Sequence, residues 1–117
     1  MGIKAIVADD EPNMVDVLSD QLESSGIKVI GRAYDGEEAS QLFSLHKPDI
    51  ILIDLKMPNY DGHYAITKIK QEFPTAKIIV ISGFLDKSFP IEKVLAVFSK
   101  PYDINDLINK IKEITGS

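Results

Sequence analysis

The sequence predicts an α/β fold, a five-stranded parallel sheet covered by helices on both faces. Short β-rich runs alternate with amphipathic helical stretches five times along 117 residues, and the connections are short. Repeated strand–helix units of this kind favour a parallel sheet. Residues 77–81 are nearly all apolar, as expected for a strand buried on both faces. The chain length predicts one domain over residues 1–117.

The first strand–helix unit has clear boundaries. Strand Ile3–Ala8 precedes a helix that has Pro12 early in its first turn and reaches about residue 25. Proline is tolerated in a first turn because its missing N–H would have no partner there. Gly26 suits the position after a helix, and strand Ile27–Ala33 follows. The inner face of the helix is predicted to hold Val15, Leu18 and Leu22.

The second helix is predicted to begin after Asp35, whose carboxylate can accept a first-turn N–H. Two glutamates at 37–38 lie where the helix dipole favours acidic side chains. The Lys-Pro pair at 47–48 closes the helix, and strand Ile50–Ile53 follows. The apolar stripe of this helix is Ala39, Leu42 and Phe43.

The second half of the chain repeats the alternation less regularly. A loop at 56–62 leads to a third helix at 64–73, which Pro74 ends, and strand 77–81 follows. The third helix is predicted to turn Ile66, Ile69 and Phe73 inward.

The fourth helix is predicted to be short or irregular. Pro90 interrupts its segment, residues 83–93, before a fifth strand at 94–99. The last helix covers about 103–114, and its apolar stripe is Ile104, Leu107, Ile108, Ile111 and Ile114.

Composition excludes several classes of protein. Acidic residues outnumber basic ones 18 to 13, so the net charge of −5 offers no basic surface for nucleic acid. The absence of cysteine excludes disulfides, thiolate metal sites and cysteine nucleophiles. No apolar run approaches the ~18 residues of a membrane span, and the N-terminus lacks a signal-peptide pattern. We therefore expect a cytoplasmic protein without membrane or nucleic-acid partners.

Charged residues follow three of the predicted strands at the point where each ends. Asp9 and Asp10 follow the first strand, Asp54 the third and Lys100 the fifth. Ligand sites of parallel α/β sheets form outside the carboxyl ends of the strands, so these side chains should converge. Two like charges about 4 Å apart repel by roughly 4 kcal/mol at an effective dielectric constant of ~20. A cation bound by oxygen atoms, Mg²⁺ or Mn²⁺ and less favourably Ca²⁺, would relieve this repulsion.

A metal ion, a lysine and a carboxylate suit phosphoryl transfer. The two cations neutralise the phosphoryl oxygens while the carboxylate attacks in line. Ser82 ends the fourth strand and would join the same rim. No P-loop motif is present, and His46 and His63 are interpreted as surface residues.

Each of these residues also has a purely structural interpretation. Asp10 could cap the first helix, Asp54 could form a turn and Lys100 could belong to a surface turn. Ser82 could be an ordinary strand-terminal serine. Their shared order, spacing and placement at strand ends favour a joint site.

These motifs resemble those of the receiver domains of two-component response regulators. IVADDEP resembles the first strand of that family, IDLKMPNYDG the phosphoacceptor strand and its loop, VISG the fourth strand and FSKP the fifth. The resemblance extends over nearly the whole chain. It implies a flavodoxin-like, doubly wound sheet of order 2-1-3-4-5.

The resemblance also implies the roles of the acidic residues. Asp54 would be the phosphoacceptor, and Asp10 and Asp54 would bind Mg²⁺ through their carboxylates. Asp9 would hold a metal-bound water, and the backbone carbonyl of Lys56 would be a further ligand.

The same resemblance implies a partner and a mode of action. Lys100 would pair with the phosphoryl group, Ser82 would hydrogen-bond it once attached, and the peptide before Pro101 would be cis. The donor would be a histidine kinase or a phosphotransfer protein, and the downstream target is an unspecified protein. Such a domain is no enzyme beyond its own phosphorylation and dephosphorylation.

The chain departs from the family pattern in the region that reports phosphorylation. Val97 stands where family members carry Tyr or Phe, and Phe98 could reach the same side only through a bulge. The segment 82–100 is shorter than usual and lacks a Gly-Ala turn. Lys56 and Phe84 would flank the phosphoryl group, so Phe84→Ala is predicted to change the lifetime of the aspartyl phosphate.

Two other functions are compatible with parts of the sequence. One is an interaction module with a receiver-like fold that needs no phosphorylation. The other is a Mg²⁺-dependent phosphatase with an aspartyl intermediate, but Lys56 stands where that class has a second acid, and a cap domain has no room. The chain is expected to be either a stand-alone regulator or a piece of a longer protein.

Overall fold

A computed structural model describes residues 2–83 and 89–116. Five parallel strands form one sheet in the order β2-β1-β3-β4-β5, which confirms the predicted doubly wound, flavodoxin-like fold. The strands are β1 Ile3–Ala8, β2 Ile27–Ala33, β3 Ile50–Ile53, β4 Ile78–Ser82 and β5 Ala96–Ser99. The helices are α1 Pro12–Ser24, α2 Gly36–His46, α3 Gly62–Glu72 and α4 Ile104–Thr115, with a 3-10 turn at Ile91–Lys93. Within the described ranges, no helix is long and apolar enough to cross a membrane.

Two hydrophobic cores lie on opposite faces of the sheet. Alternate residues of the strands pack against α1 and α4 on one face and against α2 and α3 on the other. All four residues of β3 are at most 1% exposed, as its continuous apolar run requires in a central strand. Each fully buried side chain of this size contributes about 1.5–3 kcal/mol to folding, so the central strands form a rigid base for the loops at their carboxyl ends.

Several predicted boundaries differ from the structure by one or two residues. Helix α3 begins at Gly62 and not at 64, because the Asp61 carboxylate caps it by accepting the Tyr64 N–H at 3.0 Å. Strand β5 begins at Ala96 and not at 94, because the Val94 N–H closes the 3-10 turn. Strand β4 is shifted by one residue, so that it includes Ser82.

The segment between β4 and β5 is irregular, as predicted. Within its described residues, the 3-10 turn Ile91–Lys93 is the one helical element. Phe89 and Val94 are 5% and 8% exposed and pack into the same core as α2 and α3. These two side chains therefore cover this part of the sheet. Phe84, for which a role in phosphate lifetime is predicted, lies outside the described residues.

Val97 and Phe98 point to opposite faces of the sheet. The pairing of β4 with β5 runs without a register shift, so no bulge brings Phe98 to the side of Val97. Val97 packs against the core under α2 and α3, whereas Phe98 packs with Tyr102 in the other core. The described part of β5 therefore places no aromatic ring on the face that carries one in the resembled family.

Candidate functional site

The carboxyl ends of β1, β3 and β5 bring three charged residues together. Asp9, Asp54 and Lys100 are each the first residue beyond a strand, and each backbone N–H extends the ladder by one more bond. The Asp54 N–H donates to the Ala8 carbonyl at 3.0 Å, and the Lys100 N–H donates to the Ser82 carbonyl at 2.9 Å. The Asp9 N–H donates to the carbonyl of Ala33, the last residue of β2, at 3.0 Å. The sheet itself therefore fixes the backbone of the site.

Lys100 forms ion pairs with two aspartates from different strands. Its Nζ lies 2.8 Å from Asp9 Oδ2 and 2.9 Å from Asp54 Oδ2. Burial alone would lower the pKa of Lys100. The hydrogen bonds and negative charges of the two aspartates outweigh that effect and raise the pKa to about 12. The lysine is therefore a fixed positive charge at any physiological pH.

The second oxygen of each aspartate is held by the backbone. Asp9 Oδ1 accepts the Glu11 N–H at 3.0 Å, and Asp54 Oδ1 accepts the Lys56 N–H at 3.2 Å. In both cases the donor lies two residues further along the chain. Each carboxylate is thus fixed in rotation by a lysine on one oxygen and a backbone amide on the other.

Asp10 completes the cluster from the start of the loop after β1. Carboxylate oxygens of Asp9, Asp10 and Asp54 lie within 4.8 Å of one another. Burial raises the pKa of Asp10, and the neighbouring charges of Asp9 and then Asp54 raise it further. The structural interpretation of Asp10 as the cap of α1 is not supported, because Glu11 occupies the N-cap position.

The donor set fits a hard divalent cation. Three carboxylates face a single lysine, so the cluster retains negative charge, and the raised pKa of Asp10 shows that its charged form is disfavoured without a further cation. Oxygen donors of this kind suit Mg²⁺ or Mn²⁺. His46 and His63 are both exposed, as predicted. The His63 ring contacts the ring of Phe89, with centroids 5.4 Å apart.

A cavity of about 320 Å³ opens over the cluster. It is lined by Asp10, Glu11, Asp54, Lys56, Ser82, Gly83 and Lys100. Ser82 is 2% exposed, and the Lys56 side chain is exposed. Glu11 and Gly83 were not predicted from the sequence, although each directly follows a predicted residue in the chain.

The sequence model of the response regulator receiver domain family matches residues 5–112. This chain belongs to that family of two-component receiver domains. Among curated receiver-domain proteins, it is 31% identical to the chemotaxis protein CheY of Thermotoga maritima, over 98% of this chain and 99% of that protein. It is 34% identical to the transcriptional regulatory protein PdtaR of Mycobacterium tuberculosis, over 93% of this chain and 55% of that protein.

Solved receiver domains have the same fold as this one. The response regulator domain of Thermotoga maritima CheB superposes with a TM-score of 0.88 at 28% identity, covering 100% of this chain and 98% of that one. The response regulator TrrA of the same organism, solved in complex with Mg(2+)-BeF, superposes with a TM-score of 0.88 at 26% identity. The match covers 97% of this chain and 99% of TrrA. Several curated relatives are longer than this chain. It spans 55% of PdtaR and 37% of the protein-glutamate methylesterase/protein-glutamine glutaminase of Natronomonas pharaonis, to which it is 32% identical over 99% of its own length.

Proposed function

We propose that this receiver domain accepts a phosphoryl group on Asp54 in a Mg²⁺-dependent reaction, with a histidine kinase or a phosphotransfer protein as donor. The observation that carries the proposal is the setting of the Asp54 carboxylate. This carboxylate borders the open cavity. The Lys100 ammonium and the Lys56 N–H bind its two oxygens and so fix its orientation. The solved TrrA structure, which contains Mg(2+)-BeF, supports the same assignment by similarity.

The acidic cluster would hold the metal ion. Asp10 and Asp54 would bind it through their carboxylates, the Lys56 carbonyl would be a further ligand, and Asp9 would hold a metal-bound water. When bound, Mg²⁺ would neutralise negative charge on the phosphoryl oxygens. The proximity of the three carboxylates supports this ligand set.

The chemical step exchanges one bond to phosphorus for another. A carboxylate oxygen of Asp54 forms a bond to the phosphorus atom, the N–P bond of the donor phosphohistidine breaks, and the imidazole nitrogen keeps the electron pair. The ammonium of Lys100 then pairs with a phosphoryl oxygen. The Ser82 hydroxyl, from the end of β4, hydrogen-bonds another. Hydrolysis later returns the free carboxylate and inorganic phosphate.

The proposal covers residues 1–117 as one signalling domain in the cytoplasm. Its catalysis is limited to its own phosphorylation and dephosphorylation, and its output is a protein contact without direct binding of nucleic acid or membrane. The net charge of −5 agrees with a protein partner that has a basic surface.

An alternative is an interaction module that works without phosphorylation. The short segment before β5 and the placement of Phe98 on the opposite face from Val97 favour it, since the usual aromatic reporter of phosphorylation is missing from β5. The intact charged cluster argues against it.

Labelling with acetyl phosphate separates the two functions. Wild type, Asp54→Asn and Asp20→Asn would be incubated with the donor in Mg²⁺ or in EDTA and analysed by intact-mass spectrometry. Asp20 is an exposed residue of α1 and serves as the control. We expect one added phosphoryl group in wild type and Asp20→Asn with Mg²⁺, and none in Asp54→Asn or in EDTA.

Equal labelling of Asp54→Asn would overturn the assignment of the acceptor. An unlabelled wild type that still binds a partner would favour the interaction module.

A further inference from the structure

Gly62, the first residue of α3, contacts the backbone of the proposed phosphoacceptor. Its N–H donates to the Leu55 carbonyl at 2.9 Å. A Cβ added to Gly62 would lie 2.4 Å from the Asp54 carbonyl oxygen and 2.7 Å from the Leu55 Cα. Real Cβ atoms essentially never approach other atoms that closely. Any side chain at position 62 would therefore displace the segment 54–55.

The requirement at this position is for space and not for an unusual backbone conformation. Among the described glycines, positive φ angles occur at Gly26 and Gly116, and not at Gly62. Alanine could therefore adopt the backbone angles of residue 62 without strain. What alanine lacks is room, because the obstructing atoms belong to the backbone of a neighbouring segment.

The obstructed segment carries two of the proposed metal ligands. Asp54 would contribute its carboxylate and Lys56 its carbonyl, and both flank the Leu55 peptide that Gly62 holds. We infer that Gly62 is a positioning residue that sets the distance between these two ligands. This inference rests on the proposed function of the acidic cluster. Groups that orient metal ligands typically change metal affinity by about 10- to 100-fold when they are altered.

Gly36 offers a closely matched control. It is the first residue of α2, is buried, and follows an aspartate N-cap, just as Gly62 does. A Cβ at Gly36 would lie 2.1 Å from the Asp61 carbonyl oxygen and 2.8 Å from that of Tyr60. The obstruction is equally severe, but it falls on Tyr60 and Asp61, so it can reach the ligand segment 54–56 only indirectly, through Gly62.

The test compares Mg²⁺ affinity in wild type, Gly62→Ala and Gly36→Ala. Mg²⁺ is titrated into each protein, and the dissociation constant is taken from backbone amide shifts. Urea unfolding in EDTA reports how far each variant is destabilised. We expect Mg²⁺ binding by Gly62→Ala to be about 10- to 100-fold weaker than by Gly36→Ala at comparable loss of stability. Equal affinities in the two variants would overturn the inference.

A wild type that binds no Mg²⁺ would instead overturn the proposed metal site, and the inference with it. That result is distinguishable from the first because it needs no variant.

A measurement on wild type covers the case in which Gly62→Ala does not fold. The Gly62 and Gly36 amides both donate to loop carbonyls, and their hydrogen exchange can be followed with and without Mg²⁺. If Gly62 holds the ligand segment, Mg²⁺ should slow hydrogen exchange at the Gly62 amide by roughly tenfold more than it slows exchange at the Gly36 amide. The same slowing at both amides would contradict the inference.

Discussion

At the scale of single residues, Lys100 forms ion pairs with residues that are far from it in the sequence. Its side chain bonds to Asp9 and Asp54, which lie 91 and 46 positions away in the sequence. Burial disfavours the charged form of Lys100, but the interactions of the ammonium with two buried carboxylates favour it more strongly. The pKa of Lys100 therefore rises. The ion pairs also hold the two carboxylates in place.

The raised pKa of Lys100 predicts a loss of stability at high pH. Its ordinary pKa is 10.5 and its folded value is about 12, so its contribution is complete below pH 10.5 and is lost as the pH rises towards 12. Because Lys100 is partly exposed and solvent screens its ion pairs, we expect this to lower the free energy of unfolding of wild type by about 1 kcal/mol over that window. Urea unfolding at a series of pH values would measure it.

In Lys100→Met, the free energy of unfolding should not show the part of the decline between pH 10.5 and 12 that is due to Lys100. Both proteins are compared in a Tyr102→Phe background, because burial raises the pKa of Tyr102 and the Lys100 charge lowers it, so the decline due to Tyr102 would otherwise differ between them. Lys110→Met, which removes an exposed pair with Glu113, is the control and should follow wild type. Parallel curves for wild type and Lys100→Met would contradict the prediction.

At the scale of elements, α1 shows both the strength and the limit of periodic patterns. Its predicted inner residues Val15, Leu18 and Leu22 are buried, since apolar residues at helical spacing share one face. Ser19 is also 0% exposed, and its hydroxyl has no hydrogen-bond partner in the described ranges 2–83 and 89–116. The helix therefore contains a polar group that costs stability.

Ser19→Ala is predicted to stabilise the protein. Removing an unsatisfied buried hydroxyl should raise the free energy of unfolding by about 1–3 kcal/mol. The control is Ser40→Ala in α2, where the hydroxyl donates to the Glu37 carbonyl at 2.9 Å. Both changes add the same helix propensity, so a larger gain at Ser19 isolates the effect of the unsatisfied group. Equal increases in the free energy of unfolding of the two variants, measured by chemical denaturation, would show that the Ser19 hydroxyl does not destabilise the fold.

Element boundaries were predicted well where an abrupt change of composition marks them. Strands β1, β2 and β3 match to the residue, and an aspartate directly after β1 and after β3 marks the end of each apolar run. The start of α3 was missed because its signal is the cap Asp61, which stands outside the apolar repeat. The start of β5 was missed because Val94 is apolar but completes a turn.

At the scale of the whole molecule, the like charges of the acidic cluster lower the stability of the metal-free fold. The raised pKa of Asp10 means that its charge weakens the folded state as the pH rises through that pKa. A bound cation reverses the effect, because a ligand that binds only the folded state adds its binding free energy to folding.

Asp10→Asn should therefore act in opposite directions with and without metal. In EDTA we expect the variant to be more stable than wild type by about 1 kcal/mol, from lost repulsion between like charges. Mg²⁺ at about 100 times its dissociation constant should stabilise wild type by about 2.7 kcal/mol and leave the variant nearly unchanged. Thermal or urea unfolding would measure both, with Asp20→Asn as the control that keeps the Mg²⁺ response. An equal response of Asp10→Asn to Mg²⁺ would exclude Asp10 as a ligand.

The sequence alone determined the order of the elements, the parallel sheet and the charged residues at the strand ends. These are local properties, since periodicity and abrupt changes of composition are visible within a few residues. Tertiary structure decided the pairing of Lys100 with Asp9 and Asp54, the contact of Gly62 with the Asp54 backbone, and the absence of a bulge that could bring Phe98 to the side of Val97. Each depends on strand register and on distances between segments far apart in the chain, which no local pattern specifies.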